Sequence, residues 1–367
     1  MLIVAGEVSG DIHAGNMLLE LSKIRPGVEA FGVGGDHLIG AGLDAVAHID
    51  ELAHMGLVEV MRELPRIRRV MRKLVDEAAQ RRPTVAVLVD SPDFNLRLAA
   101  RLRALGIPVV LYVSPQLWAW RRGRVRVVRR RAREVLCILP FEVDFYAAHG
   151  VRARYVGHPL VDEIARVGLL DRRVTAVAGR LAMLPGSRAM EVSQLLPVMM
   201  RTLENLPRDV VEEAVLVEAP GMEEEIGRVL STCGADSRLQ RVRGEERRAE
   251  LASCSFAWTA SGTATLECAL LGVPMVVGYR LLPVSYAIAR LLVRIPNVAL
   301  VNLMAGRTVV PELLQKAWNP DNLASITADL MSGAAEDQRG GLADVRTRLG
   351  GPGASRHAAE AIAEFLG

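Results

Sequence analysis

The chain begins with the sequence LIVAGEVSGD (residues 2–11), an apolar run that leads directly into a glycine-containing turn. A second stretch of the same design, LAMLPGSR (residues 181–188), opens the second half of the chain. An apolar run of this length is typical of a buried strand, and glycine allows a tight turn into the following helix. The two stretches therefore predict two domains that each begin with a strand and a glycine turn.

Short β-rich runs alternate with helix-length amphipathic stretches along all 367 residues, which indicates parallel sheets covered by helices. We predict an α/β fold of two Rossmann-like parallel-sheet domains that face a central cleft. The strands are predicted at residues 1–5, 30–33, 85–89, 109–113, 135–139, 154–156, 181–184, 215–217, 256–259 and 275–278. We place the domains at residues 1–170 and 171–340 and interpret residues 331–353 as a surface connection. A final helix within residues 354–367 can pack back on the first domain.

The composition excludes several classes of protein. Half of the residues are hydrophobic and 24% are charged, as in a folded globular chain. No run of 18 residues lacks a charge, which argues against a transmembrane helix, and no basic leader precedes the first strand, which argues against secretion. The four cysteines form no Cys-x-x-Cys pair, so we expect thiols of a cytoplasmic protein and neither disulfides nor zinc ligands.

The positive charge is concentrated in the first half of the chain. Residues 1–170 carry 24 Lys and Arg against 19 Asp and Glu, whereas residues 171–367 carry 21 against 23. The densest part is residues 121–133, with eight arginines. This surplus indicates an anionic partner. Nucleic acid is not the expected partner, because no known binding module is present and Trp118 and Trp120 precede the arginines without alternating with them.

In open α/β sheets, ligands bind at the carboxyl ends of the strands. The turn after the first strand places Glu7, Ser9, Gly10 and Asp11 at such an end, facing the predicted cleft. Ser9 and Asp11 are also suited to capping a helix that starts at Ile12. The turn is therefore either part of a ligand site or an ordinary capped turn.

Asp90 directly follows the strongly apolar run at residues 85–89. A carboxylate in this position is either a general base in the cleft or a helix cap. Asp93 is the better candidate for the cap, and Asp90 is the better candidate for the base because it ends the strand itself.

Two turns of the second half have the residues that a diphosphate needs. Gly186 and Ser187 offer N–H groups, and Arg188 beside them can clamp a phosphate with two donors, although the Gly-Lys-Ser/Thr of a Walker A loop is absent. The second turn has further N–H and hydroxyl donors at a predicted helix N-terminus, from Ser261, Gly262 and Thr263.

Glu267 lies one turn further along that predicted helix, where its carboxylate can accept hydrogen bonds from both ribose hydroxyls. A mid-helix acidic residue is more often simply solvated. No Asp-x-Asp triplet and no cluster of His and Cys occurs in the sequence, so we predict no metal site.

Several motifs together resemble the lipid-A-disaccharide synthases. They are AGEVSGD (5–11), MGLVEV (55–60), DSPDFN (90–95), YVSPQLWAWR (112–121), LPFE (139–142), GHP (157–159), LPGSR (184–188), SGTATLE (261–267) and PMVVGYR (274–280). The run VSPQLWAW (113–120) is specific to this family, whereas the paired Rossmann pattern is shared with many glycosyltransferases.

The resemblance implies a GT-B-type fold in which the second domain holds the nucleotide sugar. It implies an inverting, metal-independent transfer, without a cofactor, from UDP-2,3-diacylglucosamine to 2,3-diacylglucosamine 1-phosphate, giving a β-1,6-linked disaccharide and UDP. Asp90 then matches the proposed catalytic aspartate, and Arg188 and Glu267 match UDP-contacting positions. Val301 replaces a proline that often precedes Asn302 in the family, and we expect Asn302 still to reach the nucleotide.

Because both implied substrates carry acyl chains, we expect the protein at the inner face of the inner membrane, on anionic lipid. Residues 55–75 have apolar positions at helical spacing and basic flanks, and Pro65 is expected to kink or divide this helix. The expected lipid-facing residues are Met55, Leu57, Val58, Met61, Arg62, Arg66, Arg69 and Arg72. The alternative is a core-facing helix with a solvated basic back.

Two other functions compete with the transferase. A UDP-sugar epimerase has the same two-domain design, and a nucleic-acid-binding protein would use residues 121–133. The sequence leaves the oligomeric state open, and a homodimer is one of the states compatible with it.

Overall fold

A computed structural model describes residues 1–53, 60–119, 122–172, 174–234, 236–282, 286 and 297–367. The chain forms two compact units. The first consists of residues 1–162 together with 351–367, and the second consists of residues 163–350. The division therefore falls earlier than the predicted boundary at residue 170.

The first unit contains a sheet of seven parallel strands in the order β3-β2-β1-β4-β5-β6-β7. The strands are β1 (Leu2–Ala5), β2 (Ala30–Gly34), β3 (Leu43–His48), β4 (Ala86–Val89), β5 (Val109–Tyr112), β6 (Glu134–Cys137) and β7 (Ala153–Tyr155). The helices are α1 (Val8–Ile24), α2 (Asp36–Gly40), α3 (Asp50–Ala53), α4 (Val60–Arg81), α5 (Pro92–Ala104), α6 (Val125–Arg131) and α7 (Pro140–Ala147), and the division between the units falls within α8 (Pro159–Arg166). The central strands β1 and β4 are fully buried, as a sheet covered on both faces requires.

The second unit contains six parallel strands in the order β10-β9-β8-β11-β12-β13. The strands are β8 (Val177–Leu184), β9 (Glu213–Val217), β10 (Leu239–Val242), β11 (Cys254–Ala260), β12 (Met275–Tyr279) and β13 (Glu312–Leu314). The helices are α9 (Ala189–Asn205), α10 (Glu223–Cys233), α11 (Arg247–Ala252), α12 (Thr263–Leu271), α13 (Leu300–Ala305), α14 (Pro320–Asp329) and α15 (Ala335–Leu349). The prediction of two Rossmann-like parallel-sheet units is confirmed.

The end of the chain belongs to the first unit. Helix α16 (Ala354–Ala363) packs against α1, and the Asp162 carboxylate accepts hydrogen bonds from the backbone N–H groups of Gly353, Ala354 and Ser355. Asp162 thereby satisfies the free donors at the start of α16. The prediction of a surface connection over residues 331–353 is wrong, because α15 occupies most of that stretch.

Candidate active site

Three residues other than glycine adopt left-handed backbone conformations at the carboxyl ends of two adjacent strands. Asp90 (φ 52°) and Ser91 (φ 42°) follow β4, and Val113 (φ 61°) follows β5. A positive φ is uncommon for such residues and is a genuine outlier for β-branched valine. Conformations of this kind cost free energy and persist where surrounding contacts enforce them, often at functional sites.

Asn95 enforces the turn at Asp90. Its side-chain amide donates hydrogen bonds to the backbone carbonyls of Val89, at 3.0 Å, and Asp90, at 2.8 Å. The side chain is 1% exposed and lies in the first turns of α5. Sequence reasoning missed Asn95, because the sequence does not show that the amide of a helical asparagine binds the backbone at the end of the preceding strand, β4.

The Asp90 carboxyl group is partly buried, and this burial raises its pKa above the ordinary value. The backbone N–H of Ser91 donates a hydrogen bond to Oδ1 at 2.9 Å, and this bond lowers the pKa of Asp90 by less than burial raises it. Among the described residues, none donates a hydrogen bond to Oδ2. A raised pKa and an oxygen without a described donor are the properties that a general base needs.

The turn after β1 lies against Asp90. A Cβ added to Gly10 would lie 3.5 Å from the Asp90 Cβ, and one added to Gly6 would lie 2.2 Å from the Ser91 Oγ. Glycine at position 6 is therefore required by the close approach of Ser91. The side chains of Glu7 and Ser9 are exposed at the same edge of the sheet.

The predicted helix caps at Asp11 and Asp93 are wrong. Helix α1 begins at Val8 rather than Ile12, and Asp11, 3% exposed, instead caps α2. Its carboxylate accepts the backbone N–H groups of Gly35 (2.6 Å), His37 (3.1 Å) and Leu38 (3.3 Å). Asp93 is exposed and pairs with Arg124. Asp11 is therefore a structural residue, and its carboxylate is not open to a ligand.

A buried carboxyl group holds the loop that follows β5. Glu142 in α7 is 1% exposed, and its two oxygens accept hydrogen bonds from Trp118 Nε1 at 3.0 Å and from the Leu139 backbone N–H at 3.2 Å. The Tyr146 hydroxyl donates to the Pro115 carbonyl at 2.9 Å. Burial raises the pKa of Glu142 to about 7. The described part of the motif, residues 112–119, is thus anchored from α7, beside Asp90.

This carboxyl group makes stability depend on pH. Because the pKa of Glu142 is higher in the folded state than in the unfolded state, the folded protein binds more protons, and the free energy of unfolding falls as pH rises from about 4.5 to about 7. The loss is on the order of 1.4 kcal/mol per pH unit. We expect Glu142→Gln to remove this component, measured by urea unfolding across that pH range. The exposed Glu224→Gln is the matched control, and an unchanged slope in Glu142→Gln would contradict the assignment.

In the second unit, the turn between β8 and α9 brings Arg188 and Ser187 to one carboxylate. Glu191 accepts hydrogen bonds from Arg188 Nη1 at 3.0 Å and from the Ser187 backbone N–H at 3.0 Å. Gly186 has a φ of 122°, and a Cβ there would lie 2.5 Å from the Glu191 Cβ. Arg188 is exposed, and the N–H and guanidinium donors of this turn already bind an anionic group. Sequence reasoning missed Glu191, which would compete with a phosphate for these donors.

The second predicted UDP-binding turn lies between β11 and α12. Gly262 (φ 134°) precedes the first helical residue, Thr263, which is exposed. The Ser261 hydroxyl donates to the Val298 carbonyl at 2.9 Å, so this turn is tied to the loop before α13. The N-terminus of α12 therefore presents backbone N–H groups at the carboxyl edge of the sheet, where an anion is favoured.

Glu267 is buried beside two arginines. Its Oε1 accepts a hydrogen bond from Arg248 Nε at 2.8 Å and lies 3.7 Å from Arg247 Nη2, while Arg248 also pairs with Glu163. A glutamate in the middle of a helix is usually exposed to solvent, whereas Glu267 is buried. It is a fixed acceptor, neutralised on one oxygen by Arg248.

The expected contact of Asn302 with the nucleotide is not supported. Asn302 is fully buried, and its amide nitrogen donates to the Val310 carbonyl (2.9 Å) and to Glu312 Oε1 (2.8 Å). Its Oδ1 accepts the N–H groups of Val309 (2.8 Å) and Val310 (3.0 Å). With both amide atoms engaged, Asn302 holds the loop between α13 and β13 and has no donor left for a ligand.

The predicted membrane helix is partly a core helix. Val70, Met71 and Leu74, which belong to its apolar stripe, are buried in the core of the first unit, so the core-facing alternative is correct there. Helix α4 continues through Pro65, and Arg66 donates to the Asp50 carbonyl at 2.7 Å, whereas Arg69 and Arg72 are exposed. The remaining predicted residues lie outside the described residues or have no described side chain: Met55, Leu57, Val58, Met61 and Arg62.

Within the described ranges, no group of three or more His, Cys, Asp or Glu side chains is arranged to hold a metal ion. No helix in the same ranges is long and apolar enough to cross a membrane. The four cysteines are free thiols, and Cys137, Cys254 and Cys268 are buried.

Sequence comparison decides the family. The family model described as lipid-A-disaccharide synthetase matches residues 1–363. The chain belongs to the lipid-A-disaccharide synthase family. The lipid-A-disaccharide synthase of Anaeromyxobacter sp. (strain K) is 45% identical, with 99% of this chain and 96% of the relative covered. That of Myxococcus xanthus (strain DK1622) is 42% identical, with 100% and 97% covered.

Structure comparison agrees on the fold. MurG of Acinetobacter baumannii is similar at a TM-score of 0.60 with 14% identity, covering 99% of each chain. A putative UDP-N-acetylglucosamine 2-epimerase of Listeria monocytogenes is similar at a TM-score of 0.64 with 12% identity, covering 99% of this chain and 94% of that one. The GT-B-like fold expected for the family is confirmed. At these identities the likeness shows the fold alone, and the family match separates this chain from the epimerases.

Proposed function

We propose that the protein joins UDP-2,3-diacylglucosamine to 2,3-diacylglucosamine 1-phosphate, with a β-1,6-linked disaccharide 1-phosphate and UDP as products. The observation that carries this proposal is the family match over residues 1–363. The local geometry supports it, because the first unit supplies a partly buried carboxylate on a strained turn and the second supplies donors for a diphosphate.

Asp90 is the proposed general base. The 6-hydroxyl oxygen of the acceptor forms a bond to the anomeric carbon of the donor, and its proton passes to the Asp90 carboxylate. The bond from that carbon to the diphosphate oxygen breaks, and its electron pair leaves with UDP. A single displacement of this kind inverts the anomeric centre and needs no covalent intermediate on the enzyme.

The leaving group is the proposed ligand of the second unit. Arg188, the backbone N–H groups of Gly186 and Ser187, and those at the start of α12, together with the Ser261 and Thr263 hydroxyls, would bind the diphosphate. They would stabilise the charge that develops on it, which provides a metal-independent route. Glu267 is oriented by Arg248 and would accept hydrogen bonds from the ribose hydroxyls.

Anionic lipid at the inner face of the inner membrane is the proposed location of the acyl chains. The exposed Arg69 and Arg72 on α4, with Arg62 and Arg66 of the same helix, would contribute charge attraction to such a surface. The residues of this surface that insert into lipid would come from the N-terminal side of α4, because the buried Val70 and Leu74 belong to the core.

The proposed reaction is tested by UDP release with each substrate alone and with both together. Release should require both substrates and continue in EDTA. Complete loss of activity in EDTA would contradict the metal-independent route. Conversion of the UDP-sugar without acceptor would instead favour the epimerase alternative.

Asn95 is the proposed positioning residue for Asp90. Replacing its amide by a carboxylate in Asn95→Asp removes both donors to the Val89 and Asp90 carbonyls, and Asn95→Ala removes them without adding charge. We expect kcat to fall about tenfold or more in both variants, because a small displacement of a catalytic group is costly.

The remaining readouts separate positioning from general damage. UDP affinity, measured by calorimetry, should stay unchanged, and the acidic limb of the pH–rate profile should move because the Asp90 environment changes. A parallel loss of UDP affinity and thermal stability, with an unmoved pH profile, would show that Asn95 has a structural role only.

A further inference from the structure

A cavity of about 470 Å³ lies at the amino edge of the first unit's sheet. It is formed by the loops that lead into β5, β6 and β7. Five arginines line it: Arg103, Arg129, Arg131, Arg133 and Arg152. The proposed mechanism uses none of these residues.

The cavity is distinct from the Asp90 site. Strand β5 begins at the cavity with Val109 and ends with Tyr112, whose carbonyl accepts the backbone N–H of Asp90 at 3.1 Å. The two sites therefore lie at opposite ends of the same strand, about 10 Å or more apart along it.

Most of the positive charge in the cavity is not neutralised. Arg152 pairs with the buried Glu134, at 3.3 Å, and with Glu364, at 3.8 Å. The other four arginines have no carboxylate within ion-pair distance among the described residues. Arg103 and Arg131 donate to backbone carbonyls of Arg130 and Leu96, which fixes their guanidinium groups in place.

A structural role for these arginines is the competing explanation, because helices α5, α6 and α7 end in or just before these loops and cations are favourable at helix C-termini. Each helix end contributes about half a negative charge, so three ends offset fewer than two of the four unpaired arginines. A surplus of positive charge remains, carried by Arg129 and Arg133, which make no described side-chain hydrogen bond or ion pair.

We propose that this five-arginine cavity binds the phosphate group of a phosphate ester. A guanidinium group can donate two parallel hydrogen bonds to the oxygens of one phosphate. Arg129 and Arg133 are the two arginines available to bind a phosphate in this way. The cavity is larger than a bare phosphate needs, so it leaves room for the glycerol or sugar that carries the phosphate. This inference does not depend on the proposed transferase reaction.

The test uses the full chain and the double variant Arg129→Ser/Arg133→Ser. Calorimetry with glycerol 3-phosphate and with inorganic phosphate measures soluble ligands. Co-sedimentation with vesicles of phosphatidylglycerol and phosphatidylcholine, against phosphatidylcholine alone, measures lipid headgroups. The matched control is Arg97→Ser/Arg201→Ser, which removes two exposed arginines outside the cavity.

We expect the cavity variant to lose binding about tenfold or more, while the control binds like the wild type. A loss with the anionic vesicles identifies a lipid headgroup as the source of the phosphate, and a loss confined to glycerol 3-phosphate identifies a soluble ester. Equal binding by wild type and cavity variant, or no binding of any probe by the wild type, would overturn the proposal. Retained turnover of the cavity variant on detergent-dispersed substrates, with unchanged thermal unfolding, would separate this site from the catalytic one.

Discussion

Asp90→Asn is expected to lower turnover by about 10²-fold or more while the protein stays folded and binds UDP normally. The amide keeps the shape of the side chain, and its oxygen can still accept the Ser91 N–H. It cannot take the proton from the acceptor hydroxyl. The measurement is the initial rate of UDP release with both substrates saturating, alongside calorimetry of UDP binding.

The matched control is Asp93→Asn, which makes the same chemical change on an exposed residue of the same segment. Its turnover should remain close to that of the wild type. Because burial raises the pKa of Asp90, the wild-type rate should fall as pH drops through that pKa, and this limb should be absent in Asp90→Asn. Near-normal turnover in Asp90→Asn would remove the role of base from this residue.

Arg188→Ala is expected to lower turnover by roughly 10²-fold and to weaken UDP binding as well. Turnover suffers more, because the charge on the diphosphate grows in the transition state. The control is Arg228→Ala, since Arg228 is also exposed and paired to a glutamate three residues away, Glu225.

A variant of Glu191 provides a second test of whether the Arg188 turn binds UDP. Glu191 binds the same Arg188 and Ser187 donors that a diphosphate would use, so Glu191→Gln should free Arg188 and leave UDP affinity equal or higher. Unchanged UDP affinity and turnover in Arg188→Ala would show that the β8–α9 turn does not hold the leaving group.

The sequence predicted the central strands of both sheets and the edge strand β7, and it missed the other three edge strands. The missed strands β3, β10 and β13 all lie at sheet edges, and β3 and β10 each contain two consecutive exposed residues. An edge strand has only one neighbour and carries polar residues on its open side, so it lacks the continuous apolar run by which a central parallel strand is recognised.

The residues of the candidate site were likewise predicted only in part. Asp90 and the turn at Arg188 could be found because each directly follows an apolar run in the sequence. The real partners of Asp11 and Asn302 could not, because each binds backbone groups of a neighbouring loop that only the folded chain brings near. A polar residue in a motif has the same appearance whether it contacts a ligand or holds a turn, and burial together with saturated hydrogen bonding distinguishes the two.

The most direct test of the central claim is mass spectrometry of the products formed from UDP-2,3-diacylglucosamine and 2,3-diacylglucosamine 1-phosphate. We expect the disaccharide 1-phosphate and UDP in equal amounts with the wild type, and about 10²-fold less of both with Asp90→Asn. Formation of an isomerised UDP-sugar, or of UDP without disaccharide, would contradict it.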